Sequence, residues 1–338
     1  MTQTENIEYT DRLYMSRALQ LAAHGGGDAS PNPMVGAVIV HDGRIFGVGF
    51  HRRCGEGHAE VNAVASVADE SLLPHSTIYV TLEPCAHYGK TPPCAKLLID
   101  KRIPRVVIGS VDPFAKVSGR GIAMLREAGA EVKVGVLEEE CRALNERFMT
   151  AHTLRRPFIT LKWAESADGF ISAIDSEGRP APVRLSNALS LREVHRLRSL
   201  HDAIMAGTDT IITDNPRLDT RLWGGPSPRA VTIDRHGRIP ADAAILSRPD
   251  TIVYRDPEVT LPEILTDLYS RQGVSSLLVE GGAKLLQSFI NQGLYNVIRR
   301  EVSTVATGAG VKAPELPQHL RADETSTLRG NRIELFRR

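Results

Sequence analysis

Gly57-His58-Ala59-Glu60, followed by Leu82-Glu83-Pro84-Cys85-Ala86-His87-Tyr88-Gly89-Lys90-Thr91-Pro92-Pro93-Cys94, are the stretches on which the reading of this chain turns. A histidine and a glutamate lie two apart just before a helical pattern, and the two cysteines follow a strand-like run, 77–82. One imidazole and two thiolates suit zinc, and three protein ligands leave the fourth tetrahedral position to water, whose pKa the metal lowers toward neutrality. His58, Cys85 and Cys94 are therefore the expected ligands. Glu60 is expected to stay off the metal and to move protons as a general acid and base, so that an amino group leaves a ring by hydrolysis. Zinc deaminases commonly place two residues between the cysteines; eight, 86–93, stand between them here, and the longer loop has to fold back to the metal.

Outward from these motifs, strand-like apolar runs alternate with segments of helical period. Helices are expected at 11–23, 60–68, 94–100 and 121–128, with strands at 34–40, 77–82, 105–110 and 131–134. This rhythm makes an α/β domain. A charged, helix-like stretch, 138–156, ends at Arg155-Arg156-Pro157 before a fresh strand at 158–163, which places the domain boundary near residue 150, with domains 1–148 and 149–338. The second domain again mixes types, with helices at 191–199, 262–271 and 283–291 and strands at 203–206, 230–234, 251–254 and 276–279. Loops are expected at 223–228 and, as a flexible stretch, at 307–310.

Composition narrows the function classes. Lys plus Arg total 41 against 40 Asp plus Glu, which provides no broad positive field for a nucleic-acid backbone, and a 5% aromatic content offers few stacking platforms. The expected partner is a small molecule. No apolar run is long enough to span a bilayer and the N-terminus has no leader pattern, so the expected location is the cytoplasm, with no membrane partner. Of the four cysteines, two belong to the metal motif; Cys54 reads as a hydrophobic filler, and Cys141 lies in a charged helix away from the motifs.

The segments HAEVNA at 58–63 and TLEPCAHYGKTPPC at 81–94 resemble the deaminase domain of the bifunctional riboflavin-biosynthesis deaminase/reductase family, whose cysteine loop has this length. PNPMVGAVIV at 31–40, GFHRRCGEGHAE at 49–60 and DPFAKVSGRG at 112–121 are similar to it as well, so the resemblance covers most of 10–145. It implies a cytidine-deaminase-like α/β/α domain acting on a diaminopyrimidinone that carries a ribosylamino 5-phosphate. Asn32, His51, His87, Lys90 and Asp112 would then contact the substrate. Lys90 suits a phosphate as a point charge.

The second domain has no G-x-G-x-x-G after a strand; its nearest physical signal is Leu277-Leu278-Val279-Glu280-Gly281-Gly282 before a helix, where backbone N–H groups can approach an anion. LKWAESADGFISA at 161–173, DAIMAGTDTIITDNPRLDTR at 202–221, VTID at 231–234 and LLVEGG resemble the same family's reductase domain. That resemblance implies a dihydrofolate-reductase-like α/β fold, NADPH as cofactor, and a homo-oligomer. By motif position Ala164, Thr210, Asp214 and Gly282 would touch NADPH, and Arg198, Leu218, Arg221 and Glu280 would hold the substrate. Arg235, beside Asp234, is a candidate partner for the cofactor's 2′-phosphate. The chain departs from the family where an aromatic contact to cofactor is usual, reading Pro182-Val183-Arg184-Leu185-Ser186-Asn187, and again at 295–297 and 304–307.

Two other readings compete. A nucleic-acid or nucleoside deaminase with a diverged binding module would want a basic or aromatic surface. A structural zinc joined to a nucleotide-sensing domain has no use for Glu60, because a closed metal site needs no extra carboxylate.

Overall fold

The computed structural model describes residues 3–88, 92–113 and 118–338. The chain divides into two compact units, Met1–Leu154 and Arg155–Arg338. The division falls after residue 154 rather than at 148, because a helix that begins at Glu146 runs on to Leu154 within the first unit.

In the first unit the elements follow as α1 (Gln3–Ala22), β1 (Gly36–His41), β2 (Arg44–Phe50), α2 (Ala59–Ala65), β3 (Thr77–Leu82), α3 (Cys94–Asp100), β4 (Arg105–Ser110), α4 (Arg120–Glu127), β5 (Glu131–Val134), α5 (Glu138–Leu144) and α6 (Glu146–Leu154). The five strands form one sheet in the order β2-β1-β3-β4-β5. β1 pairs antiparallel with β2 and β3, whereas β3, β4 and β5 run parallel. Strands β1, β3 and β4 are apolar nearly throughout because both faces are covered. Tyr14, Met15 and Ala18 of α1 pack with Cys141 of α5 on one face, while Ala63 of α2, Leu98 of α3 and Leu125 of α4 pack on the other.

Strand β2 escapes the hydrophobic pattern because two of its seven residues are glycine. Gly49 shows why: a Cβ there would run into the Ala59 carbonyl oxygen and the Ala63 nitrogen, so α2 lies directly on the strand. Cys141 is fully buried and its sulfur fills the space above Gly109, with burial pushing the thiol up to about 12. Cys54, expected to be a filler, is instead exposed, since it sits in the turn beyond β2 with only its backbone held, by Asp28.

The second unit adds β6 (Phe158–Glu165), the short pair β7 (Ala173–Ile174) and β8 (Pro180–Ala181), α7 (Ala188–Ser199), β9 (Ala203–Gly207), α8 (Thr208–Asp214), β10 (Arg229–Ile233), β11 (Ile252–Tyr254), α9 (Leu261–Ser270), β12 (Ser276–Glu280), α10 (Ala283–Asn291), β13 (Val297–Val302), β14 (Glu324–Leu328) and β15 (Asn331–Arg337). Eight strands form a sheet in the order β11-β10-β9-β12-β6-β13-β15-β14. The first six run parallel, and β15 pairs antiparallel with β13 and β14. α9 begins with a capping box in which Thr260 and Glu263 satisfy each other's backbone N–H groups.

Strand β13 reads Val-Ile-Arg-Arg-Glu-Val, and three consecutive charges hide it from a pattern search. The sheet accommodates them by alternation. Arg300 faces one way and pairs with Glu334 of β15 at 2.6 Å, whereas Glu301 faces the other and accepts from Ser186 and Asn331 at 3.0 and 2.6 Å. The stretch expected to be flexible at 307–310 is held down, since Asp168 accepts the N–H groups of Thr307 and Gly308.

Candidate active sites

The metal-site residues in the first unit come from two helix starts and one loop. His58 is the N-cap of α2, Cys94 is the first residue of α3, and Cys85 follows β3. His58 Nδ1 lies 3.6 Å from Cys85 Sγ and 3.3 Å from Cys94 Sγ, and the three ligand atoms are all within 4.8 Å of one another. Ordinary zinc–sulfur and zinc–nitrogen bonds at a tetrahedral angle separate N and S by roughly 3.6 Å, so the triangle fits that ion. The backbone N–H of Cys94 donates to Cys85 Sγ at 3.2 Å, which favours the thiolate. Hydrogen bonding from Cys94 lowers the Cys85 thiol, and the same bond together with burial raises that of Cys94.

Glu60 lies in the first turn of α2 and is buried. Burial, with the nearby Cys85 charge, pushes its carboxyl up to about 7, whereas a bound dication would favour the carboxylate. His51 Nδ1–H donates to the Gly57 carbonyl at 3.2 Å, which leaves Nε2 to accept from Asn32 Nδ2 at 3.2 Å. Burial lowers the His51 pKa, and the ring sits edge-on to His58 at 5.5 Å between centroids. Asn32 and His51 are thus brought beside the metal triangle. Asp112 is buried just beyond β4, and His87 is exposed two residues past Cys85. Lys90 lies outside the described residues.

Two asparagines to which the sequence reading gave no role hold this geometry. Asn145, between α5 and α6, both accepts from and donates to the Met34 backbone at 2.8 Å, pinning the loop that carries Asn32. Asn62 donates to the carbonyls of Phe50 at 2.8 Å and Gly57 at 3.0 Å, fixing the His51 segment against α2. Because α2 presses on β2 at Gly49, Gly49→Ala should push out the helix that begins at His58 and Glu60. The expected cost is about 1–3 kcal/mol of stability, together with weaker zinc retention against a chelator.

The second unit holds a cleft of about 1290 Å³ at the carboxyl ends of its parallel strands, where open α/β sheets bind ligands. Ala164, Thr210, Asp214 and Gly282 all line it, as do Arg198, Leu218 and Glu280. Arg221 is not in the lining; it is half-exposed and pairs with Asp219. Gly281 and Gly282 have φ of +73° and +64°, and a Cβ on either would come within 2.9 Å of the Thr210 side chain, so only glycine keeps this backbone open to the cleft. Arg198 is already engaged: its Nε and Nη2 donate to Glu280 at 3.0 and 2.7 Å, and its Nη1 donates to the Asp219 carbonyl at 3.0 Å. Burial alone would raise the Glu280 carboxyl, but the Arg198 guanidinium, aided by Lys162, holds it down at about 2.

Lys162 went unnoticed in the sequence because a lone lysine in an apolar strand resembles an exposed edge residue. It lines the cleft, is buried, and stands in register between Glu280 of β12 and Arg299 of β13. Burial lowers its pKa, with Glu280 opposing. The departing stretch contributes Pro182, Val183, Arg184, Leu185 and Ser186 to the lining.

Residues 8–110 match the family described as the cytidine and deoxycytidylate deaminase zinc-binding region, and residues 157–334 match the RibD C-terminal domain. Along its length the chain is 36% identical to the riboflavin biosynthesis protein RibD of Aquifex aeolicus, covering 92% of this chain and 91% of that protein. The chain belongs to the RibD family. The RibD of Escherichia coli is 33% identical over 84% of this chain and 85% of its own length. Among solved structures, a Thermotoga maritima protein described as diaminohydroxyphosphoribosylaminopyrimidine deaminase/5-amino-6-(5-phosphoribosylamino)uracil reductase superposes with a TM-score of 0.85 at 34% identity, covering 98% of this chain and 99% of that one. Acinetobacter baumannii RibD gives 0.87 at 31% identity with the same coverage. The fold class expected from the motifs, a cytidine-deaminase-like domain followed by a reductase domain, is the one these RibD structures share.

Proposed function

We propose that this chain is a bifunctional enzyme of riboflavin biosynthesis. It deaminates 2,5-diamino-6-(5-phosphoribosylamino)pyrimidin-4-one and then reduces the ribosyl group of the product to ribityl with NADPH. The observation that carries this reading is the His58–Cys85–Cys94 triangle with Glu60 buried beside it, in one chain with a RibD C-terminal domain.

In the first reaction His58, Cys85 and Cys94 would hold zinc. When bound, the ion acts as a Lewis acid that lowers the pKa of water at the fourth position. Glu60 takes a proton from the attacking water and delivers it to the ring nitrogen, then takes the remaining proton from the added hydroxyl and passes it to the departing amine, so that water and the amino compound become the carbonyl and ammonia. Asn32, His51, His87, Lys90 and Asp112 hold the substrate. The fixed tautomer of His51 gives Asn32 a defined orientation, since its amide nitrogen is committed to His51 Nε2.

In the second reaction Ala164, Thr210, Asp214 and Gly282 hold NADPH, and Arg198, Leu218, Arg221 and Glu280 hold the deaminated intermediate. The open glycine backbone opposite Thr210 and the size of the cleft fit a dinucleotide. NADPH supplies the hydride, and the protein contributes orientation and exclusion of water. Arg198, locked by Glu280 and Asp219, offers a fixed cation at low entropic cost. Balanced charge and the matched domains give the nucleic-acid alternative no support. We place the protein in the cytoplasm as a homo-oligomer; no helix among the described residues is long and apolar enough to cross a membrane.

Arg235 lines the cleft, and its Nη2 donates to the Val259 carbonyl at 2.7 Å, which steadies the side chain. Arg235→Ala is expected to lower the preference for NADPH over NADH by about tenfold, the worth of one charge-assisted hydrogen bond. Steady-state rates with both cofactors check this, and an unchanged ratio removes Arg235 from the 2′-phosphate site. The function as a whole is tested by incubating zinc-loaded protein with the diaminopyrimidinone ribosylamino phosphate while following ammonia and NADPH absorbance together. Ammonia with NADPH oxidation supports both activities. Ammonia alone restricts the chain to deamination, and neither product defeats the proposal.

A further inference from the structure

Glu83 stands two residues before Cys85, at the end of β3, and is buried. Its Oε1 accepts the backbone N–H groups of Gly121 at 3.0 Å and Ile122 at 3.3 Å. Its Oε2 accepts those of Gly119 at 2.9 Å and Asp112 at 3.3 Å. Its own N–H donates to the Ser110 carbonyl at 2.9 Å, which extends the pairing of β3 with β4. Beside it the start of α4 rests on the metal-bearing loop without a gap, since a Cβ on Gly121 would collide with the Pro84 carbonyl oxygen. One side chain therefore joins the loop that supplies Cys85 to Asp112 and to the start of α4.

We propose that Glu83 is a positioning residue for deamination: its carboxylate sets the place of Asp112 relative to the metal ligands. The proposal rests on the reading of the first domain as the deaminase. Only a carboxylate can do this, because ionised Glu accepts at both oxygens, whereas an amide accepts at one and points N–H donors from the other. Two of the four N–H groups belong to the first turn of α4, which has no intrahelical acceptors for them and whose dipole favours a negative group there.

The test uses the full-length zinc-loaded enzyme with Glu83→Gln and Glu83→Asp. Zinc content, thermal unfolding, reductase rate, and kcat and KM for ammonia release are measured in each. Expected for Glu83→Gln are zinc at one ion per chain, an unchanged reductase rate, and a deamination KM raised about tenfold with kcat within about threefold. Adding Asp112→Asn should then raise KM by less than it does in the wild-type background, because Asp112 has already been displaced. An unchanged KM with zinc retained, or strictly additive effects of the two substitutions, overturns the proposal. Loss of zinc from both Glu83 variants with the reductase intact also overturns it, in favour of a purely structural role. Failure of the wild-type enzyme to release ammonia would instead refute the deaminase reading, whatever the Glu83 variants do.

Discussion

Glu60→Gln is expected to leave zinc bound at one ion per chain while ammonia release falls by about a thousandfold, within the range that general acid–base catalysis contributes. The amide has nearly the shape of the carboxyl group and enters the same buried space at the start of α2, so the ligand triangle keeps its geometry. It also removes the cost of burying an ionisable group, and folding should be unimpaired. What it cannot do is take a proton from water and give it up again to the ring and the amine. The reductase rate should be unchanged, because every residue that lines its cleft comes from the second unit. Metal analysis and an ammonia assay on the same sample check the result. Undiminished turnover would mean that Glu60 does not carry the protons.

The largest expected loss of stability comes from Asp11→Ala. Asp11 is 1% exposed and accepts from Arg105 through both Nη atoms at 2.9 Å, from Lys133 at 2.8 Å and from Tyr79 at 3.0 Å. It joins α1 to β3, β4 and β5 beneath the sheet. Removing it takes the acceptor from the buried Tyr79 and the mostly buried Arg105, a loss of about 3–5 kcal/mol by analogy with broken buried ion pairs, whereas Lys133, 38% exposed, can turn to water. The Glu131 contact of Arg105 at 2.9 Å survives and favours the lower figure. Domains of this size are stable by only about 5–15 kcal/mol, so the first unit should unfold at a markedly lower denaturant concentration than it does in the wild type.

The pH dependence of that loss has a definite sign. Burial by itself would raise the Asp11 carboxyl, but hydrogen bonds from Arg105 and Lys133 prevail and hold it below its ordinary value of 3.8. A carboxyl with a depressed folded-state pKa contributes its full stability above the unfolded value and loses it as pH falls through the folded one. The gap between wild type and Asp11→Ala should therefore be constant near neutrality and narrow only below about pH 4, as paired denaturant titrations would show. A gap that stayed constant in acid would mean that the carboxylate charge is not what holds α1.

The sequence by itself determined the chemistry of the first domain. His58, Glu60, Cys85 and Cys94 are residue types with few alternative uses in that combination; the strand before Cys85, 77–82, and the helix from Cys94, 94–100, have the expected bounds, whereas the helix after His58, expected at 60–68, is Ala59–Ala65. A two-domain α/β organisation was legible for the same reason, since apolar periodicity is a local property of the chain. The tertiary structure alone decided what depends on partners distant in sequence. Strand β13 is unreadable until Glu334 and Ser186 stand opposite its charges. The roles of Asn145 and Glu83 exist only because backbone N–H groups from other segments converge on them. Arg198, a free cation by its sequence, is bound by Glu280 from 82 positions away. A side chain's chemistry is written in its own residue, but whether it is buried, paired or aimed at a ligand is a property of the residues around it.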